Sequence, residues 1–175
     1  MKIENIVLIG FMGTGKTSVG KRLAKHLGWD FLDTDLAIEE ISGTSVSEIF
    51  RKHGETRFRS EETVLVKRLK ERKKMVIATG GGTPLNPENW EAFTEIGIII
   101  SLYAPIDTIL DRIGGKNDRP LLREGRDEAQ KLWLSRQPIY NQADLIIDTT
   151  ELDIDEVANE ILGKIEGRIE DETKA

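Results

Sequence analysis

The sequence predicts an α/β fold, one domain with a parallel sheet covered by helices on both faces. Three observations carry this. Short apolar runs rich in Ile and Val alternate with longer amphipathic stretches. Several of those stretches open on residue patterns that start helices. A glycine-rich segment, GFMGTGKTS at residues 10–18, joins the first apolar run to the first amphipathic stretch.

The expected strands are Ile6 to Ile9, Asp30 to Leu32, Met75 to Ala78, Ile98 to Leu102 and Leu145 to Ile147. The second is weak in apolar content and is read partly from its place in the alternation. Between them, Ser45-x-x-Glu48 and Asp153-x-x-Glu156 have the form of capping boxes. Asn86-Pro87 places a polar cap before a proline at the first helical position. Pro105 opens a helix in the same way, with Ile106, Ile109, Leu110 and Ile113 on one face. No internal repeat or linker divides the chain. The expected domain is residues 1–163, with residues 164–175 a polar tail that frays.

Composition narrows the function. The chain has 175 residues, enough for one sizeable core, with 38% hydrophobic and 32% charged residues. Its formal net charge is −6, which argues against general nucleic-acid binding, since that rests on neutralising phosphates. It has no cysteine, so disulfides and thiolate metal sites are excluded. No run approaches the ~18 apolar residues of a membrane span, and the N-terminus lacks the pattern of a signal peptide. A cytoplasmic protein is expected, and a monomer, since no strong extra apolar face is visible.

Gly10-x-x-x-x-Gly15-Lys16-Thr17 matches the P-loop pattern. Its glycines let successive N–H groups converge on phosphate oxygens, and the following helix points its positive end at the same place. Gly13, Thr14, Gly15, Lys16, Thr17 and Ser18 are therefore expected to bind nucleotide. Lys16 would reach the terminal phosphates and the Thr17 hydroxyl would ligate Mg²⁺. A GTPase would carry an Asn-Lys-x-Asp guanine reader, and none occurs; a large motor would need more chain. A small kinase that phosphorylates a small molecule remains.

The second strand ends in Asp33-Thr34-Asp35, where ligands gather in a parallel sheet. One carboxylate could support the metal through water while the other accepts a proton from, or orients, a substrate hydroxyl. The pair could also simply cap the next helix. Residues 54–62, GETRFRSEE, place Arg57, Arg59, Glu61 and Glu62 in one helical start. Residues 78–82, ATGGG, end the third strand with more glycine than a plain turn needs, so a ligand or backbone could approach closely. Residues 114–126, GGKNDRPLLREGR, have the composition of a mobile lid, or of a long solvated loop. His26 and His53 lie among charged residues and read as surface or packing residues.

In this order the motifs resemble shikimate kinase: GFMGTGKT, DTD, GETRFRSEE, GGG, RPLL and RQPIY, covering about residues 3–162. The resemblance implies a three-layer P-loop kinase fold with a five-stranded parallel sheet in order 2-3-1-4-5. It implies ATP- and Mg²⁺-dependent phosphorylation of the 3-hydroxyl of shikimate, in the route to aromatic amino acids. By that resemblance Lys16 contacts the transferring phosphate, Thr17 the metal, and Asp33 supports the metal through water. Asp35 binds shikimate hydroxyls and serves as base. Arg59 and Arg136 clamp the carboxylate, with Glu62 orienting Arg59. Gly80, Gly81 and Gly82 line the pocket with amides toward substrate, and Phe50 and Phe58 pack near the ring. Residues about 34–62 form the substrate-binding segment, Arg119 closes with the lid, and Arg112 lies against adenine. Arg57 is an added charge without an implied role, and residues 148–153, DTTELD, match the family least. Another small-metabolite kinase, such as a gluconate or adenylylsulfate kinase, and a nucleotide-binding regulatory module without turnover are the alternatives.

Overall fold

The computed structural model describes residues 3–114 and 125–169. The lid reading, 114–126, with Arg119 in it, lies almost wholly outside the described residues. β1 (Asn5–Ile9) leads through the glycine-rich loop into α1 (Lys16–Leu27), followed by β2 (Asp30–Asp33), α2 (Thr34–Ser42), α3 (Val46–Leu69) and β3 (Met75–Ala78). A short 3₁₀ turn (Thr83–Leu85) then precedes α4 (Pro87–Ile96), β4 (Ile98–Tyr103) and α5 (Ile106–Ile113). α6 (Arg126–Tyr140), β5 (Leu145–Asp148) and α7 (Ile154–Ile165) complete the fold, with a second 3₁₀ turn over Glu166–Arg168.

All four strand pairings are parallel and the order is β2-β3-β1-β4-β5, as the resemblance implied. β1 stands in the middle and is buried along its whole length. Because side chains alternate along a strand, Val7 and Ile9 face one core and Ile6 and Leu8 the other. The first core packs Ile77 and Ile99 against Val66, Phe93 and Ile109 of α3, α4 and α5. The second packs Val76 and Ile100 against Val19 and Leu23 of α1 and Val157 and Ile161 of α7. A helix layer thus covers each face of the sheet, giving the expected three layers. A separate cluster of Ile38, Ile49, Phe58 and Leu65 joins α2 to α3.

The weak second run is an edge strand, paired with β3 alone and partly open. An edge strand needs less apolar sequence, so its faint signal has a physical cause. The Asp153 capping box forms in full, with reciprocal bonds of 2.8 Å to Glu156. The Ser45 box forms by half: its hydroxyl accepts from the Glu48 amide, but the Glu48 carboxylate turns to Arg51 and Lys52. Pro105 sits one place earlier than expected, at the cap position (φ −58°, ψ 150°), and Ile106 is the first helical residue. α3 breaks at Gly54 (φ 78°, ψ 171°), so residues 55–69 form a fresh helical arm. This is the helical start read at GETRFRSEE.

Two boundaries differ from expectation. α7 runs past Gly163, Ile165 is buried, and Ile169 pairs with Ile3, whose amide donates to Arg168 O at 2.7 Å. Residues 164–169, expected to fray, are therefore held in the fold, because this polar stretch still contributes two isoleucines to the second core. Arg126, grouped with the lid arginines, is instead the first residue of α6 and pairs on the surface with Asp107. No helix among the described residues is long and apolar enough to cross a membrane.

Candidate active site

The glycine-rich loop leaves β1 at the carboxyl edge of the sheet. Gly10, Gly13 and Gly15 adopt φ of 137°, 78° and 98°, values that favour glycine. Gly10 also lies so close to β4 that a Cβ there would stand 2.4 Å from Leu102 O. Gly15 is the N-cap of α1, so the loop ends on the positive end of that helix. Lys16 folds back over the loop and donates to Gly10 O at 2.8 Å and Phe11 O at 2.9 Å. Thr14 is buried, its hydroxyl donating to Phe11 O at 2.8 Å.

Asp33 does two things at once. As N-cap of α2 its Oδ1 accepts from the amides of Asp35 and Leu36. Its Oδ2 accepts from the Thr17 hydroxyl at 2.7 Å. The capping reading and the metal-side reading of this residue are thus compatible, each using a different oxygen. The Thr17–Asp33 pair is a set of hard oxygen donors beside the loop, which fits Mg²⁺: that ion takes one or two protein oxygens and fills its shell with phosphate and water. Among the described residues no group of three His, Cys, Asp or Glu could hold a metal, so phosphate oxygens would supply much of the shell.

A cavity of about 640 Å³ opens beside the loop. The loop side of its wall is Gly13, Gly15, Lys16, Thr17 and Ser18; the far side is Asp33, Asp35, Thr79, Gly80 and Gly81. Met12, Arg112 and Ile113 border it as well. Arg112 is fixed at the loop after β5, donating through Nη1 to Thr149 Oγ1 at 2.9 Å and through Nη2 to the Thr149 carbonyl. The least family-like segment therefore contributes the anchor for this arginine.

Three glycines after β3 each make room for one ionisable side chain. A Cβ on Gly80 would stand 2.5 Å from Asp35 Oδ1; on Gly81, 2.9 Å from Arg136 Nη1; on Gly82, 2.5 Å from Arg59 Nη2. The segment works as a flat wall on which a carboxylate and two guanidiniums lie. The amide of Gly80 is already taken, donating to Thr34 Oγ1 at 2.9 Å, so its part is to admit Asp35 rather than to offer a donor.

Asp35 is largely buried, and no described residue bonds its Oδ1. Burial, followed by the charges of Asp33 and Glu62, pushes its carboxyl up to about 6, while Lys16 and Arg59 pull it back. A carboxyl so placed gains or loses its proton near neutrality. Arg136 Nε is also buried without a partner among the described residues, and its guanidinium lies 5.4 Å from the Phe11 ring centroid. Arg59 is held by Glu62 (Nη1–Oε2, 2.7 Å) and by Glu55 (Nε and Nη2 to Oε1, 3.1 and 2.9 Å). Burial alone would lower the arginine's pKa; the two carboxylates outweigh that and raise it.

Other expected site residues stand further off. Phe58 belongs to the satellite core, Phe50 is partly exposed, and their ring centroids are 5.0 Å apart. Neither lines the cavity, though the Arg59 guanidinium reaches 5.5 Å from the Phe58 ring. Arg57 points outward and pairs with Glu61 at 2.5 Å. His26 and His53 are exposed. Four site residues had no role from sequence: Thr34, Thr83, Glu55 and Tyr140, whose hydroxyl donates to Gly81 O at 2.6 Å. Glu55 was legible as a partner four residues before Arg59. The other three act across 46 to 59 residues of sequence, or 21 for Thr83 to Glu62; Thr34 and Tyr140 stand inside the DTD and RQPIY motifs, but nothing local says what they bond.

A P-loop at the edge of a parallel sheet, a hydroxyl–carboxylate pair beside it and a second pocket wall of mixed charge define a small P-loop phosphotransferase. The family model for shikimate kinase matches residues 12–166. The shikimate kinase of Thermodesulfovibrio yellowstonii is 46% identical over 94% of this chain and 96% of its own length. That of Pelotomaculum thermopropionicum is 44% identical over 91% and 94%. The structure of shikimate kinase from Acinetobacter baumannii in complex with shikimate superposes with a TM-score of 0.88 at 39% identity, covering 94% of each chain. This chain belongs to the shikimate kinase family. A gluconokinase from Sinorhizobium meliloti, at 17% identity and a TM-score of 0.62, shares the fold alone.

Proposed function

We propose that this protein transfers the terminal phosphoryl group of ATP to the 3-hydroxyl of shikimate, releasing ADP and shikimate 3-phosphate, in aromatic amino acid biosynthesis. The observation that carries the reading is the wall of Gly80, Gly81 and Gly82 with Asp35, Arg136 and Arg59 laid against it. Shikimate has one carboxylate and three ring hydroxyls. Two guanidiniums suit the carboxylate, because the planar fork matches its two oxygens. One carboxylate of raised pKa suits a hydroxyl nucleophile.

Lys16 stands over the loop where the phosphates bind, and its ammonium neutralises charge on the group in flight. Thr17 would hold Mg²⁺ directly and Asp33 would support it through water, and the ion would supply positive charge against the phosphates. Asp35 accepts the hydroxyl proton, so it must arrive ionised. Arg59 and Arg136 fix the ring by its carboxylate. Arg112 packs against the adenine from its anchor at Thr149, Phe58 backs Arg59 with Phe50 behind it, and Arg119, which lies outside the described residues, is assigned to the phosphates on the family resemblance alone. Residues 34–62 are the substrate-binding segment of a single catalytic domain, and the protein acts as a cytoplasmic monomer.

The deciding measurement is ADP release from the purified protein with Mg²⁺ and ATP, with and without shikimate. Release that depends on shikimate supports the reading. Release unaffected by shikimate, or seen instead with gluconate, would overturn it, and no turnover with any acceptor would favour a regulatory module.

A further inference from the structure

We propose that Thr83 is a positioning residue for substrate recognition: its hydroxyl fixes the buried Glu62 carboxylate, and through it the Arg59 guanidinium, in the orientation that faces the site. This rests on the reading of Arg59 as a ligand of the shikimate carboxylate.

Glu62 is 1% exposed. One oxygen accepts from Arg59 Nη1 at 2.7 Å and the other from Thr83 Oγ1 at 2.5 Å. A buried carboxylate has about four acceptor sites; left with Arg59 alone it would be undersatisfied and able to turn about its last torsion. The Thr83 hydroxyl selects one orientation and adds a charge-assisted bond in a dry setting. Thr83 can do this because it is itself pinned. It is fully buried, its amide donates to Gly80 O at 3.1 Å, and its carbonyl accepts from Asn89 Nδ2 at 3.0 Å. Those bonds anchor it to both ends of its surroundings, the glycine wall and α4. Its branched side chain further limits rotation.

The opposite side of Arg59 cannot set the geometry as firmly. Glu55 is 64% exposed, so water competes for it and the pair contributes little order. The chain of bonds from Asn89 through Thr83 and Glu62 to Arg59 runs through buried groups and ends on the guanidinium lying over Gly82. The fork is thereby preset before a ligand arrives, which lowers the ordering cost of binding.

Thr83→Val keeps the shape and removes the donor; Thr83→Ser keeps the donor. Steady-state kinetics should show the shikimate KM raised about tenfold in Thr83→Val, with kcat and the ATP KM within about twofold of wild type. Thr83→Ser should stay within about threefold for all three. A second reading needs no substrate: nitrogen-15 NMR of the Arg59 guanidinium in the ligand-free protein, assigned by its loss in Arg59→Lys. Hindered Nη rotation in wild type and Thr83→Ser, with averaging in Thr83→Val, is expected. An unchanged shikimate KM in Thr83→Val, an equal rise in the Val and Ser variants, or equal Nη rotation in all three overturns the proposal. If Thr83→Val does not fold, Thr83→Ala takes its place in both comparisons. Wild-type protein without shikimate-dependent ADP release would remove the functional reading, and the NMR comparison would still decide the role of Thr83.

Discussion

The two ends of the site are built differently. At the nucleotide end, polar groups are satisfied by their own neighbourhood: Lys16 on two carbonyls of its loop, Thr17 on Asp33, Asp33 on two amides of α2. At the acceptor end, Asp35 Oδ1 and Arg136 Nε are buried without partners among the described residues. The phosphate side of the first end is assembled from residues 10–18 and the end of β2, with Arg112 the one distant contribution. The second draws on α2, α3, the segment after β3 and α6. A loop that closes its own hydrogen bonds can stand ready for a nucleotide used by many enzymes. A wall holding unpaired buried groups bears a cost that a matching ligand relieves.

Replacing Lys16 should have the largest effect. Lys16→Ala removes a charge needed only as the phosphoryl group moves, so turnover should fall at least about 10³-fold with the fold retained. Near-wild-type kcat in a folded variant, measured by coupled ADP release, would undo the division between the two ends. Because the lysine bonds its own loop at rest, a modest drop in melting temperature is expected beside the catalytic loss.

Asp35 should show the opposite pairing of activity and stability. Asp35→Asn should lower kcat by about 10²-fold. Its carboxyl is raised from 3.8 to about 6 in the folded state. The folded protein therefore binds this proton more tightly than the unfolded chain, and the stability from that proton is present below pH 3.8 and lost as pH rises through about 6. At pH 8 the ionised carboxylate is a burden, so Asp35→Asn should stabilise the protein by about 1–3 kcal/mol, with the gain vanishing towards pH 4. The wild-type kcat should fall as pH drops through about 6, where the base becomes protonated. Melting temperatures across pH and a pH–rate profile check both signs; a destabilised Asp35→Asn at pH 8 would mean that the carboxylate is better satisfied than its surroundings indicate.

Glycine substitutions separate the two ends at the next level of effect. A Cβ on Gly10 would strike backbone, Leu102 O at 2.4 Å, in a left-handed conformation (φ 137°). A Cβ on Gly82 would meet the movable tip of Arg59, at 2.5 to 2.7 Å, with ordinary backbone angles. Gly10→Ala should therefore cost about 1–3 kcal/mol of stability. Gly82→Ala should leave the melting temperature nearly unchanged and raise the shikimate KM about tenfold by displacing the guanidinium. Equal loss of stability in both would show that the glycine wall is a folding requirement rather than a seat for the arginine.

Much of the fold was legible because the strands of the central sheet are short Ile/Val runs and the helix starts carry polar caps. The edge strand β2 and the break at Gly54 were harder to see, since both depend on what lies beside them. At the nucleotide end one contiguous motif spelled the geometry. At the acceptor end the motifs DTD, GGG and the two arginines were visible, but their pairing was not: nothing local says that Gly80 seats Asp35, Gly81 seats Arg136 and Gly82 seats Arg59. Thr34, inside the DTD motif, and Thr83, just after the glycines, tie that wall to α2 and α3 through bonds that span 46 and 21 residues. Long-range hydrogen bonds of single residues leave no periodicity to read.

The smallest expected effect contrasts two arginines on one helix. Arg57 and Arg59 are two residues apart, a spacing that sends side chains to different sides of a helix. Arg59 is 30% exposed and turned to the glycine wall; Arg57 is 63% exposed and paired with Glu61. An exposed pair of this kind is worth about 0–1 kcal/mol and is screened by salt. Arg57→Ala should therefore change kcat and the shikimate KM by no more than about twofold. Any small rise in KM should shrink between low and moderate salt, because at most a diffuse positive field is lost. Arg59→Lys, by contrast, keeps the charge and loses the planar fork, so its KM should rise clearly at every ionic strength. A salt-independent rise in Arg57→Ala as large as that in Arg59→Lys would mean that Arg57 swings into the site when substrate binds, and the acceptor wall would then hold three guanidiniums rather than two.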